Sequence, residues 1–369
     1  MGRIPDSLQL EISISFLLVF NFCYAQNHFK GYENLFTIPA NYVVPYASKA
    51  PTIDGDISDE VWLNTPWSDR FQDIEGDAKP KPYYDTRVKM LWDESYLYIA
   101  AELKDPHVWA TLTKRDEIVF FDNDFEVFID PLNTAHNYFE IEVNAYNNIF
   151  DLFMHKPYRS GGAALFSWDT QGMQHAVKVQ GTINNPNDTD TGWTVEMAIP
   201  FRALTLGNAV NIPKDKDVWR INFSRVQWET DIVNGKYVKR KDSAGKVLPE
   251  NNWVWSPQGV IDMHRPERWG YLFFSKNKAG EKQPQFVLPY TEKQKQYLWL
   301  VYYKQQDYRR AHQRYATTFA ELKMDKSEFD IDNKRNKLEL SSTGRRFEVS
   351  IKDTSGKKIY LNEEGLITK

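Results

Sequence analysis

The sequence predicts an all-β fold, an antiparallel β-sandwich, followed by a small α+β appendage with one long amphipathic helix. Three observations predict it. Apolar and polar residues alternate strictly in several stretches before residue 275; Gly, Pro, Asn and Asp clusters separate those stretches; and after residue 290 the apolar spacing changes to steps of three and four.

The clearest alternation runs through Asp124-Phe125-Glu126-Val127-Phe128-Ile129-Asp130 and through residues 138–144. Phe125, Val127 and Ile129 fall on one side of the first stretch, and Phe139, Ile141 and Val143 on one side of the second. A period of two means strands with opposite faces in different surroundings. The other faces carry Asp124, Glu126, Glu142 and Asn144, acceptors and amides suited to hydroxylated ligands.

Taken in order, residues 12–22 form an apolar run too short to span a bilayer, and Cys23-Tyr24-Ala25 ahead of Gln26 resembles a signal-peptidase site. The expectation is cleavage after Ala25 and export to the periplasm or cell exterior. Cleavage also removes Cys23, the only cysteine, and with it any disulfide or thiolate chemistry. Residues 26–48 read as a leader or linker and 49–275 as the sandwich.

In Asp54-Gly55-Asp56-Ile57-Ser58-Asp59-Glu60-Val61-Trp62, the Asp-Gly pair predicts a turn. Ser58 or Asp59 is placed to cap a short helix that drops Trp62 into the core. Val88, Met90 and Trp92, then residues 97–103, give two strands joined by Asp93-Glu94-Ser95. Trp193, Val195, Met197 and Ile199 give a core stripe ending at Pro200, and Ile221 and Phe223 another, which Ser224–Trp228 interrupts as a bulge or strand end does.

Residues 276–290 read as a polar linker. Leu298, Val301, Gln305, Tyr308, His312, Tyr315, Phe319 and Leu322 then mark one face of a single helix over 291–322, which the spacing predicts to pack on the strands that follow it. Residues 338–351 and 358–366 read as those strands, with a turn at Asp353-Thr354-Ser355-Gly356. The linker predicts a separable C-terminal piece, and the sequence names no partner for it.

The formal net charge of −4 offers no basic footprint for nucleic acid, and no later segment has the length and apolarity of a membrane helix. There is no G-x-S-x-G, no H-E-x-x-H, no glycine-rich phosphate loop and no Cys-x-x-Cys. Carboxylates are abundant enough to supply a glycosidase pair, but so many acids read first as a polar or ligand-binding face. The Asp54–Glu60 segment lacks EF-hand spacing.

These motifs resemble a known family. Ile53-Asp54-Gly55 with Asp59-Glu60-Val61-Trp62, Val88 through Tyr98, Asp124 through Asp130, Gly192-Trp193-Thr194-Val195-Glu196-Met197-Ala198-Ile199-Pro200 and Trp269-Gly270-Tyr271-Leu272 look like a family 9 carbohydrate-binding module, a β-sandwich related to DOMON-type domains. The resemblance implies an exported, non-catalytic protein of polysaccharide utilisation or degradation. It implies an oligo- or polysaccharide ligand, no required cofactor, and in some members a structural calcium ion. Family members clamp sugar between two tryptophans with Glu, Arg, Asn and Gln around it. Glu126 and Asn144 match the Glu and Asn; Phe120 and Met263 stand at the tryptophans, Glu142 at the Arg and Ser224 near the Gln. Arg225, His264 and Arg265 are added as candidate donors. The expectation is Phe120, Glu126 and Asn144 on one accessible groove. Three alternatives stand beside it: a haem b module on the same scaffold, with Met263 or Met154 and His264 or a Lys as axial ligands; a glycoside hydrolase or its accessory domain; and a structural or docking protein of the cell envelope.

Overall fold

The computed structural model describes residues 29–207 and 210–369. The expected signal peptide and its cleavage site lie outside these residues. Residues 29–38, with a 3₁₀ turn at Glu33–Leu35, form a unit apart from the main body, which begins at Pro39.

In chain order the main body contains β1 Asn41–Tyr46, α1 Glu60–Leu63, β2 Gln72–Asp73, β3 Thr86–Trp92, β4 Tyr96–Lys104, β5 Asp124–Asp130, β6 Tyr138–Asn144, β7 Ile149–Met154, β8 Ala164–Leu165, β9 Gln174–Gln180 and β10 Gly192–Pro200. There follow β11 Val218–Gln227, β12 Thr230–Val233, β13 Lys236–Lys239, β14 Asn251–Val254, β15 Gly270–Lys278, α2 Tyr290–His312, β16 Glu328–Ile331, β17 Lys334–Ser342, β18 Phe347–Asp353, β19 Lys358–Asn362 and β20 Ile367–Thr368.

Strand pairing runs continuously in the order β8-β7-β6-β5-β11-β15-β1-β3-β4-β10-β9, with β14 beside β11 and β2 beside β14. β1 is the joint of this ribbon. It pairs parallel with β15, shifts register between Val44 and Tyr46, and meets β3 at Tyr46 and Trp92. The two halves close over one core, in which Val88, Met90 and Trp92 of β3 and Trp193, Val195, Met197 and Ile199 of β10 join Phe125, Val127 and Ile129 of β5. This is the expected sandwich, and its inward stripes are the ones the alternation marks. β1 lies in the stretch read as leader, yet it is what links the halves.

The Asp-Gly turn forms as expected. Gly55 has φ +85, and a Cβ there meets the Lys178 backbone nitrogen at 2.8 Å, so only glycine fits without strain. Asp59 stands at the N-cap of α1 but does not cap it with its side chain; its Oδ2 accepts the Thr52 N–H instead.

β11 does not break at Ser224. It pairs with β5 from Arg220 to Val226 and with β14 from Ser224 to Gln227. The apparent interruption is a change of chemistry at inward positions, where Arg225 and Gln227 replace apolar residues. Arg225 is buried against Asp105 at 3.1 Å and donates to Gln227, Thr86 and the Lys104 carbonyl.

The C-terminal helix is shorter than its spacing predicts. α2 ends at His312, and Gln313 takes φ 58. Gln305 explains the reversal: buried in the helix, it accepts the Ala316 N–H at 2.8 Å and donates to the Ala316 carbonyl at 3.0 Å, folding residues 313–322 back. Tyr315 and Leu322 are buried outside the helix, while Phe319 and Tyr308 are only half-buried. The buried set runs consecutively from Tyr297 to Tyr303 because α2 is covered on two sides. On one side the antiparallel sheet β16–β20 receives it, with Tyr297 stacked on Phe329. On the other it meets the sandwich: Glu292 pairs with Arg220 at 3.0 Å, Lys295 donates to the Asn133 carbonyl, and the Tyr303 hydroxyl donates to Glu267 at 2.7 Å. These contacts run against the expectation of a separable piece.

Candidate functional site

Two places on the sandwich bring chemistry-bearing side chains together. The first is the face of β5, β6 and β11 turned away from the core. Register puts Glu126 directly opposite both Glu142 and Ser224, Asp124 opposite Asn144, and Phe128 opposite Glu140. The carboxylates of Asp124, Glu126 and Glu142 offer oxygens within 4.8 Å of one another. All three, with Glu140, are buried. Burial comes first in raising their proton affinities, Glu126 to about 7, and mutual repulsion adds to it for Asp124, Glu140 and Glu142. Few donors answer them: the Phe120 N–H reaches Glu142 at 2.9 Å and the Val226 N–H reaches Asp124 at 3.3 Å.

His264 borders this floor. Its Nε2 lies 3.8 Å from Glu140, its Nδ1 meets the Tyr138 hydroxyl at 2.9 Å, and burial lowers it to about 4, so it is neutral at ordinary pH. Tyr158 packs edge-on against its ring. Met263 is half-buried, its sulfur accepting the Gln258 amide at 3.2 Å; Met154 is fully buried beside Trp269. Met263, Met154 and His264, the side chains named as haem ligands, are thus engaged by protein packing.

Asn144 shares the face but has no free valence. Its Nδ2 donates to the Leu112 carbonyl and to Asp122, and its Oδ1 accepts the Tyr146 and Asn148 N–H groups. It holds a turn. Phe120 is half-buried, edge-on to Trp228, and its carbonyl accepts the Trp228 indole N–H. Arg225 points to the opposite side of its strand, into the core, because it is registered with Phe125 and not with Glu126. Arg265 is tied to Asp262 at 3.0 Å. The structure therefore gathers Phe120, Glu126, Glu142, His264 and Met263 around one face, but it leaves Asn144 saturated and Arg225 elsewhere. Glu126 and Asn144 are both buried, so among the described residues they form no open groove with Phe120.

The second place is a cavity of about 470 Å³ at the end of the sandwich, lined by Tyr83, Tyr84, Asp105, His107, Trp109, Gln227, Trp228, Glu229, Thr230 and Arg240. Its size suits a small saccharide. Tyr83 is 52% exposed, and Trp253 and Tyr84 brace it edge-on. The Trp109 indole nitrogen is buried and has no hydrogen-bond partner. Asp105 of the lining is paired with the buried Arg225, so the residue expected as a sugar donor instead braces the cavity from inside the core. The β12–β13 hairpin closes one side. Its Tyr237 hydroxyl meets His107 at 3.1 Å, and the Lys239 ammonium lies over the Trp228 ring.

Sequence reasoning missed this cavity because its lining comes from separate segments. A signal was present: Asn234-Gly235, both at positive φ, is the hairpin dipeptide that projects the strand ending at Lys239, with Arg240 just after it.

Residues 53–255 match the family described as carbohydrate family 9 binding domain-like, which is more than half of the chain. The chain belongs to this family. Among curated relatives, the exoglucanase XynX of Acetivibrio thermocellus is 29% identical over 130 residues, 35% of this chain and 10% of that protein. The endo-1,4-beta-xylanase A of Thermotoga maritima is 36% identical over 94 residues, 24% of this chain and 8% of that protein. The chain thus spans about a tenth of the length of these relatives. Among solved structures, a Bacteroides uniformis protein is 16% identical with a TM-score of 0.46, covering 64% of this chain and all of that one. A family 9 carbohydrate-binding module from Caldicellulosiruptor kristjanssonii in complex with cellotriose is 15% identical with a TM-score of 0.39, covering 67% and all.

Membership supports carbohydrate binding. Glu142, where the resemblance leads one to expect Arg, stands directly opposite Glu126, so two acids face each other at these positions. Those carboxylates face each other in a closed cluster, whereas a glycosidase pair must flank a sugar. The Asp54 loop is likewise occupied: Asp56 takes the Lys178 ammonium at 2.6 Å. Among the described residues no helix is long and apolar enough to cross a membrane.

Proposed function

We propose that this is an exported, non-catalytic carbohydrate-binding protein of a polysaccharide-utilisation or degradation system, and that it takes an oligosaccharide in the end cavity. The observation that carries the site is Tyr83, a ring 52% exposed in the lining of a cavity of saccharide size. Trp109 shares that lining, and its buried indole N–H has no hydrogen-bond partner.

The rest of the lining supplies what a sugar needs. Tyr83 gives an exposed aromatic face for the apolar side of a pyranose, and Glu229, Arg240 and His107 give acceptors and donors for its hydroxyls. Relatives that are xylanases and an exoglucanase make β-1,4-linked xylo- and cello-oligosaccharides the first ligands to try. Export rests on the N-terminal apolar run and the Ala25 cleavage signal.

The test is calorimetric titration of the mature protein with xylo- and cello-oligosaccharides, preceded by a glycan array. Binding weakened in Tyr83→Ala and, less, in Trp109→Phe, but kept in His264→Ala, supports the cavity. Binding lost in His264→Ala and untouched by Tyr83→Ala moves the ligand to the β5–β6 face. No binding to any array glycan overturns the function.

A further inference from the structure

From the geometry of the β5–β6–β11 face we infer that Asp124, Glu126 and Glu142 form a binding site for one calcium-sized divalent cation. Their oxygens lie within 4.8 Å of one another, the span of ligands across an ion coordinated at about 2.3–2.6 Å. Opposed strands fix that spacing, with Glu126 and Glu142 paired directly and Asp124 two residues along.

An acidic cluster alone is a weak sign, and two further atoms make this one specific. Oδ2 of Asp124, on a fully buried residue, has no hydrogen-bond partner. The Ser224 hydroxyl, cross-strand from Glu126 and 1% exposed, is also unpartnered. Its register with Glu126 puts it on the same face of the sheet as the carboxylates. It is a neutral oxygen beside the three charged ones, the mixed oxygen set that hard cations take.

Charge argues the same way. Among the described residues, none of Asp124, Glu126 and Glu142 has a basic partner within ion-pair distance, and several buried carboxylates without a counter-charge are strongly unfavourable. The other acid cluster, Asp116, Asp151 and Asp169, contrasts with it. Arg115 already bridges Asp151 and Asp169 at 2.8 and 2.9 Å. Oxygen-only ligands on a closed sheet face favour calcium over magnesium, which sheds its waters reluctantly. The site stands independently of saccharide binding.

The experiment uses the full mature chain, stripped with EDTA and titrated with calcium chloride alone by calorimetry, with thermal unfolding in parallel. The expected result is one calcium per chain and a midpoint raised by about 3 °C or more at millimolar calcium, with a smaller rise for magnesium. Glu142→Gln and Glu126→Gln should each weaken calcium binding at least about tenfold and, without calcium, unfold at or above the wild-type temperature because one buried charge is gone. Asp169→Asn should bind calcium as the wild type does. Absence of calcium binding by the wild type overturns the site. So does undiminished binding by both glutamine variants, or loss of binding in Asp169→Asn with binding kept in Glu142→Gln.

Discussion

The Glu196 carboxylate accepts the Trp62 indole N–H at 2.7 Å, joining two residues 134 positions apart in the chain. The other oxygen of Glu196 accepts the Gly55 N–H at 2.8 Å and the Asp54 N–H at 3.1 Å. One buried side chain on β10 thus ties the Asp-Gly turn and α1 to the sandwich. Glu196→Ala leaves three donors, two of them buried, without an acceptor and should cost roughly 2–4 kcal/mol in urea unfolding. A loss under about 0.5 kcal/mol means water replaces the carboxylate.

The same residue predicts a pH dependence. Burial raises Glu196 to about 7 from its usual 4.5, against the pull of its hydrogen bonds. A raised folded-state value gives stability that is complete below the unfolded value and fades as pH climbs through the folded one. Its contribution should therefore decline between about pH 4.5 and 7. Glu196→Gln should flatten that part of the stability profile, read as the difference in unfolding free energy between pH 5 and pH 8. Equal slopes in variant and wild type contradict it.

At the cavity, Trp109→Phe removes the indole N–H together with the pyrrole ring and leaves a smaller aromatic side chain. If a saccharide accepts that hydrogen bond, its affinity should fall about three- to tenfold, near the net worth of one hydrogen bond. Tyr83→Ala should cost more, about 1–2 kcal/mol, because it deletes a stacking surface. Titration of the two variants side by side separates polar from stacking terms; a larger loss in Trp109→Phe than in Tyr83→Ala reverses the assigned roles.

How much of this was legible in the sequence depends on the range of the interaction. Phe125, Val127 and Ile129 announce their inward face because parity is a property of one strand. The placement of Arg225 is not, since its side of the sheet relative to Glu126 depends on the register of β11 with β5. Asn144 shows the same limit: the Leu112 carbonyl and Asp122 that saturate it arrive from a loop more than 20 residues away. Tyr315, Phe319 and Leu322 keep the helical step after the helix has stopped. The decisive residue is Gln305, a polar side chain inside the apolar face whose partner is the returning backbone.

The docked helix yields the last prediction. Glu292 is buried between Arg220 at 3.0 Å and Lys295 at 2.8 Å, and both cations are themselves buried. Removing one member of such a set strands the others, so Glu292→Ala should cost roughly 3–5 kcal/mol. Deleting residues 290–369 goes further. It also removes the hydroxyl that Tyr303 gives to Glu267 and the rings of Trp299 and Tyr302 beside Arg159. Arg159 and Glu267 keep each other at 2.8 Å, but Arg220 loses its carboxylate. The truncated chain should therefore unfold at a clearly lower temperature than the full mature protein, or fail to stay soluble. Differential scanning calorimetry of the two decides it: a truncated chain that melts as sharply and as high shows that the sandwich needs nothing from α2.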